Sequence, residues 1–147
     1  MKLNTKTRYG IRTMVELAMD WEGKGLLQKD ISEKQEISYK YLDHIVSALK
    51  ARGLIVNVEG KKSGYRLSRK PEEITVYDIY KAFEAELSIV DCLLPDGRCS
   101  KDKACATQEL WSGLNTLIVD YLKKHTLKEL AEKQTNLNAS NSAMFVI

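Results

Sequence analysis

Residues 26–68, "LLQKDISEKQEISYKYLDHIVSALKARGLIVNVEGKKSGYRLS", decide the fold. Gln28 to Gln35 reads as a helix of two turns with Ile31 facing inward. Residues 36–38 make a short turn, and Ser38 is a natural N-cap because its hydroxyl can accept from a first-turn amide. Across residues 39–52, Tyr41, Leu42, Ile45, Val46 and Leu49 recur at helical spacing and define one apolar face. Gly53 ends that helix, since glycine takes the left-handed conformation without steric cost. The pattern then alternates like two short strands, with Leu54, Val56 and Val58 on one face, "EGKKSG" as the turn and "YRLS" as the return strand. A short helix, a turn, a longer helix and a basic hairpin make a winged helix-turn-helix. The fold class expected is mainly α, with a small β-hairpin wing.

Upstream, Tyr9, Ile11, Met14, Val15, Leu17 and Ala18 predict a helix over residues 5–22, with Thr5 as its cap and Gly23 and Gly25 as its end. Downstream of Pro71, residues 75–86 predict an amphipathic helix with Val76, Ile79, Tyr80 and Phe83 inward. A long helix is expected from about Lys103 to His125, its stripe formed by Leu110, Trp111, Leu114, Leu117, Ile118, Tyr121 and Leu122. That stripe is broader than docking on a small domain requires, and pairing with a second copy would bury it. "TLKELAEK" adds a short closing helix, and "TNLNASNSAMFVI" is expected to be disordered. The chain divides into a winged domain over 1–70, a cysteine-loop and dimerisation-helix region over 71–134, and a tail over 135–147.

Charge divides the same way. Residues 1–70 carry 15 Lys and Arg against 8 Asp and Glu, a net of +7, whereas residues 71–147 carry 8 against 12, a net of −4. A basic first half suits a polyanionic partner. No apolar run reaches the ~18 residues of a membrane span, and "MKLNTKTRYG" lacks the apolar core of a secretion signal, so a cytoplasmic, non-membrane protein is expected. No paired carboxylates, phosphate-cradling glycine loop or nucleophile-and-base arrangement points to an enzyme.

The N-terminal residues of the second helix of a helix-turn-helix meet base edges in the major groove. Here they are Ser38, Tyr39, Lys40, Tyr41 and Asp43. Ser38 and Lys40 can donate to phosphates or bases, and Asp43 can accept from a cytosine amino group. Tyr41 serves core packing as well as contact. The hairpin tip, Lys61, Lys62, Ser63 and Gly64, can grip phosphates or enter a minor groove, and Arg8 and Arg12 can add phosphate contacts from the first helix.

All three cysteines, Cys92, Cys99 and Cys105, fall within "CLLPDGRCSKDKAC", spaced C-x6-C-x5-C. Zinc sites are built from closer pairs and want a fourth ligand, and His44 and His125 lie elsewhere in the pattern. Uneven spacing suits something larger than one ion, such as an iron–sulfur cluster. Arg98, Lys101, Lys103 and a helix start near Cys105 all favour thiolate, which would equally serve a metal-free redox switch.

The combination of "MKLNTKTRYGIRTMVELA", "DISEKQEISYKYLDHIVSALKARGLI", "GYRLSRKPEEITVYDIYKAFE" and the cysteine loop running into "ELW" resembles a family of winged-helix regulators. It includes the iron–sulfur regulator IscR, the nitric-oxide sensor NsrR and the cysteine-metabolism repressor CymR, and the likeness covers residues 1 to about 134. The resemblance implies a homodimeric transcription factor on pseudo-palindromic promoter DNA. It implies a cluster, [2Fe–2S] rather than [4Fe–4S], on Cys92, Cys99 and Cys105, and regulation of cluster biogenesis or sulfur metabolism. The alternative it leaves open is a metal-free, thiol-redox-sensing repressor. Three positions depart from the family pattern. Gln108 stands where IscR-like members carry a ligating histidine, Arg8 where some NsrR-like members carry a ligating aspartate, and Glu59 where the wing arginine is usual. The fourth ligand is therefore open among Gln108, Glu109, a partner chain's Asn4, water and a small thiol.

Overall fold

A computed structural model describes residues 3–61, 63–97 and 104–144. Among these the order is α1 (Thr5–Met19), β1 (Leu26–Leu27), α2 (Gln28–Gln35), α3 (Tyr39–Ala51), β2 (Ile55–Asn57), β3 (Gly64–Leu67), α4 (Val76–Phe83), α5 (Ala106–Lys124) and α6 (Leu127–Met144). The mainly helical winged architecture is as expected.

The helix-turn-helix follows from local chemistry. α2 stops at Glu36, whose left-handed backbone (φ 54°) turns the chain. The Ser38 hydroxyl then accepts from the Tyr41 amide at 3.1 Å and opens α3. Leu42, Ile45, Val46 and Leu49 are buried, and Gly53 ends the helix at φ 75°. α1 clasps the end of α2: the Arg12 guanidinium donates to the Gln35 carbonyl and side chain at 2.6 and 2.7 Å, and Gln35 donates to Glu16 at 2.6 Å.

The sheet is antiparallel in the order β1-β3-β2, with Ile55 opposite Leu67 and Leu26 opposite Tyr65. Two strand expectations change. Leu54, Val56 and Val58 do not share a buried face: Leu54 and Ile55 are buried and Val56 is exposed. The Leu54 amide still bonds back to the Leu49 carbonyl at 3.0 Å, so alternation begins only at Ile55. β1 was not foreseen, because two residues carry no period and only pairing with β3 makes them a strand.

Helix ends also shift. Asn4, not Thr5, caps α1 by accepting from the Thr7 amide at 2.7 Å. α1 ends at Met19 rather than near Glu22, where Asp20 accepts from the Gly25 amide at 2.9 Å and folds the turn. A reciprocal Thr75–Asp78 capping box opens α4. Gly10 lets α4 press against α1, since a Cβ there would come within 2.2 Å of the Phe83 ring.

α6 is longer than the expected short closing helix. The Leu127 amide donates to the Ile74 carbonyl at 2.8 Å and the Val76 amide to the His125 carbonyl at 2.9 Å, which fixes its first turn beside α4. Leu127 and Ala131 join Met14, Leu17, Ile31, Leu42, Ile45, Ile74 and Ile79 in one core. With that turn docked, adding residues costs far less than nucleating a helix, and 134–144 holds no Gly or Pro. Most of the tail expected to be disordered is thus helical to Met144, and its last three residues lie outside the described residues.

Candidate DNA-reading face and cysteine loop

Tyr39, Lys40 and Asp43 are exposed on the first turns of α3, and Ser38 is exposed with its hydroxyl committed to the cap. Tyr41 is half-buried, its ring edge-on to Tyr9 at 5.8 Å between centroids, so it packs and faces outward at once. Asp43 accepts a 2.5 Å hydrogen bond from the side-chain amide of Gln28, a residue 2% exposed that the sequence reading passed over. Arg8 is exposed on α1. Arg12 instead lies over the Tyr9 ring at 5.2 Å and holds Gln35, so its guanidinium is already engaged within the protein.

The wing tip is a folded turn. The Lys61 amide donates to the Val58 carbonyl at 3.1 Å, the Gly64 amide to the Lys61 carbonyl at 3.3 Å, and Gly60 sits at φ 80°. The Ser63 carbonyl accepts from the Gln28 amide at 2.8 Å, tying the wing to the start of α2. Lys62 lies outside the described residues.

The cysteine loop begins with Cys92 in a 3-10 turn, Asp91–Leu93. That turn closes tightly: the Gly97 amide donates to the Leu94 carbonyl at 2.8 Å, and a Cβ on Gly97 would come within 2.3 Å of the Asp91 carbonyl oxygen. Just upstream, Asn115 of α5 accepts from the Ile89 amide at 3.1 Å and donates to the Leu87 carbonyl at 3.0 Å. The loop ends at Cys105, which occupies the N-cap position of α5 rather than its first turn. Its Sγ lies 3.0 Å from the Thr107 hydroxyl. Donation from Thr107 first, then from the backbone amides of Gln108 and Thr107, holds the Cys105 thiol below its ordinary pKa. Cys99, Arg98, Lys101 and Lys103 lie outside the described residues.

An open groove of about 940 Å³ runs along the start of α5, lined among others by Leu93, Cys105, Gln108, Glu109 and Thr116. Gln108 therefore shares a groove with Cys105. Asn4 is committed elsewhere, capping α1 and donating to Glu84. His125 pairs with Glu129 at 3.2 Å, and His44 is exposed on α3. Among the described residues, no three Cys, His, Asp or Glu side chains converge on a metal-sized point. Further along α5, Leu110, Trp111, Leu114, Leu117 and Tyr121 are exposed, while Ile118 and Leu122 are half-buried.

A basic winged helix-turn-helix with polar residues on its reading helix is the architecture of DNA-binding transcriptional regulators. The chain belongs to the Rrf2 family: the family model, described as an iron-dependent transcriptional regulator, matches residues 3–133. It is 35% identical over 130 residues to IscR of Aliivibrio salmonicida, covering 88% of this chain and 77% of that protein. It is 33% identical over 130 residues to protein rrf2 of Nitratidesulfovibrio vulgaris, covering 88% and 87%. Among solved structures it resembles CymR, the global cysteine regulator of B. subtilis, with a TM-score of 0.77 and 32% identity, over 90% of this chain and 97% of that one. T. potens IscR matches with a TM-score of 0.74 and 28% identity, over 91% and 88%. The chain is a transcriptional regulator and not an enzyme. No helix among the described residues is long and apolar enough to cross a membrane.

Proposed function

We propose that the chain acts in the cytoplasm as a homodimer whose affinity for promoter DNA is set by an iron–sulfur cluster on Cys92, Cys99 and Cys105. Its targets would be genes of cluster biogenesis or sulfur metabolism. The observation that carries this reading is the shared groove at the root of α5. Cys105 and Gln108 line it three residues apart, and Leu93, next to Cys92, lines it too. The donor set fits: soft thiolates suit an iron–sulfur cluster, and the amides and hydroxyl around Cys105 favour thiolate. Asn4 is held within its own chain, which favours Gln108 over the partner's Asn4 as fourth ligand. A [2Fe–2S] cluster is the form proposed; when bound, it supplies a redox-sensitive link across the loop.

Around that link the protein's own residues do the positioning. Asn115 holds the segment before Cys92 on α5, and Cys105 starts the same helix, so the loop is fixed to α5 at both ends. On the DNA side, Ser38, Lys40, Tyr41 and Asp43 would meet the major groove, while Arg8 and wing residues Lys61, Lys62, Ser63 and Gly64 would meet the backbone or minor groove. Pairing of the exposed α5 stripes would set the separation of the two reading helices, which is about 34–36 Å for half-sites one turn apart.

Anaerobic purification with iron and sulfide determination, followed by Mössbauer spectroscopy, tests the reading. A brown protein with matched iron and sulfide is expected. A colourless, iron-free protein that still binds its promoter overturns it in favour of metal-free thiol sensing. That second reading draws on the stabilised Cys105 thiolate and on the likeness to oxidized Staphylococcus aureus CymR, 35% identical with a TM-score of 0.73.

A further inference from the structure

Gln28 is a fully buried polar residue at the first position of a short helix, with no place in the apolar core and two links to the DNA-reading elements. Its side-chain amide donates to the Asp43 carboxylate at 2.5 Å and to the Tyr39 carbonyl at 3.3 Å, both on the first turns of α3. Its backbone amide donates to the Ser63 carbonyl at the wing tip, 2.8 Å away. One residue thus joins the recognition helix and the wing from beneath. The Tyr65 phenol, buried in β3, is also close enough to feel the Tyr39 hydroxyl and the Asp43 carboxylate.

We propose that Gln28 is a specificity-positioning residue: it holds the Asp43 carboxylate in one rotamer, so that its remaining acceptor capacity faces a cytosine amino group at one base pair of each half-site. The inference rests on the reading of α3 as the base-contacting helix. Physically, an unrestrained aspartate beside DNA would swing away from the phosphates and read nothing. A buried amide removes that freedom and occupies one acceptor site, leaving the others directed outward. A buried donor satisfied by an exposed carboxylate also explains why a polar side chain is tolerated there, since an unpartnered amide would be costly.

The test uses full-length protein prepared identically for all variants, with a randomised duplex pool followed by competition binding on the enriched sequence. Gln28→Met keeps side-chain volume and removes the donor. It should bind non-specific duplex as the parent does, yet lose roughly 5- to 20-fold in discrimination at one base pair per half-site, the scale of one lost base contact. Asp43→Ala should lose preference at that same base pair. The double variant should discriminate no worse than Asp43→Ala alone at that base pair, because the proposed effect on base choice runs through Asp43. An equal loss of affinity for all sequences, or an unchanged preference profile in Gln28→Met, overturns the proposal and marks Gln28 as structural. An Asp43→Ala profile that matches the parent overturns the proposal while leaving α3 as the reading helix, whereas a parent chain that enriches no sequence refutes the reading of α3 itself, and this proposal with it.

Discussion

Leu117 lies mid-stripe on α5 with 68% of its surface exposed, beside Leu114 at 42% and Tyr121 at 64%. Replacing it with glutamate probes whether a second copy covers this face. Fully burying a leucine side chain is worth about 1.5–3 kcal/mol, so the exposed two-thirds represents about 1–2 kcal/mol in each chain. A two-fold interface counts the residue twice, giving about 2–4 kcal/mol per dimer. That corresponds to a dimer weakened about 30- to 1,000-fold, and the cost of desolvating two carboxylates adds to it. Sedimentation velocity over a dilution series reads the shift directly, with circular dichroism confirming unchanged helix content. Because Leu117 touches no core of its own chain, the monomer should keep its thermal stability. Promoter affinity should fall with the dimer, since one half-site then binds alone. Leu117→Glu protein that sediments as the parent does at every concentration would refute pairing through this stripe.

Leu127→Ala removes the fully buried side chain that docks α6; it should cost about 2–5 kcal/mol and lower Tm by about 5–15 °C in a calorimetric scan. Gly97→Ala drives a Cβ into the Asp91 and Leu94 carbonyl oxygens, 2.3 and 2.9 Å away, and should cut iron per chain severalfold with helix content intact. Iron content equal to the parent's would show that the Cys92 turn need not be held in this shape. In metal-free protein, Cys105 should alkylate with a pH midpoint below the ~8.5 of an ordinary cysteine, because its lowered pKa populates thiolate at lower pH. Thr107→Val removes the leading donor and should move that midpoint upward, read by mass spectrometry of the Cys105 peptide.

The boundaries of α2 and α3 were legible because their determinants are local: Ser38 caps its own helix and Gly53 ends it. β1 and the true buried face of β2 were not, since both depend on how the chain leaves α3 and on pairing with β3. The length of α6 escaped a composition argument because its stability is borrowed from Leu127 and Ala131 in a core whose other members begin as far back in the sequence as Met14. The described ends of the cysteine loop are a turn at Asp91–Leu93 and the start of α5 at Cys105, of which the helix start alone was expected near its observed place. Asn115 and Gln28 went unread for one reason: a polar residue within an amphipathic helix looks solvated until its partner is known. Both partners, the Leu87–Ile89 backbone and Asp43, are brought in by the tertiary fold.

The helices differ in how firmly each is held, and this locates the element able to respond to the loop. α6 is locked by Leu127 and by the paired Thr75 and Thr126 backbones. α3 contributes four buried apolar residues to the core. α5 contributes none, although it is the longest helix among the described residues. It is fastened chiefly where the cysteine loop meets it, at Cys105 and Asn115, and by its neighbour α4. α4 in turn meets α1 through Phe83 against Gly10 and through Glu84 against Asn4, and α1 supports the reading helix through Tyr9 and Tyr41. A change in the loop therefore acts first on the helix with the least core of its own. The shape of the Tyr39–Asp43 surface is retained, because its own supports lie in the densely buried part of the molecule. In the proposed dimer such a change would alter the placement of one intact reading head relative to the other, so loss of the proposed cluster should shift affinity for paired half-sites far more than base preference within a half-site.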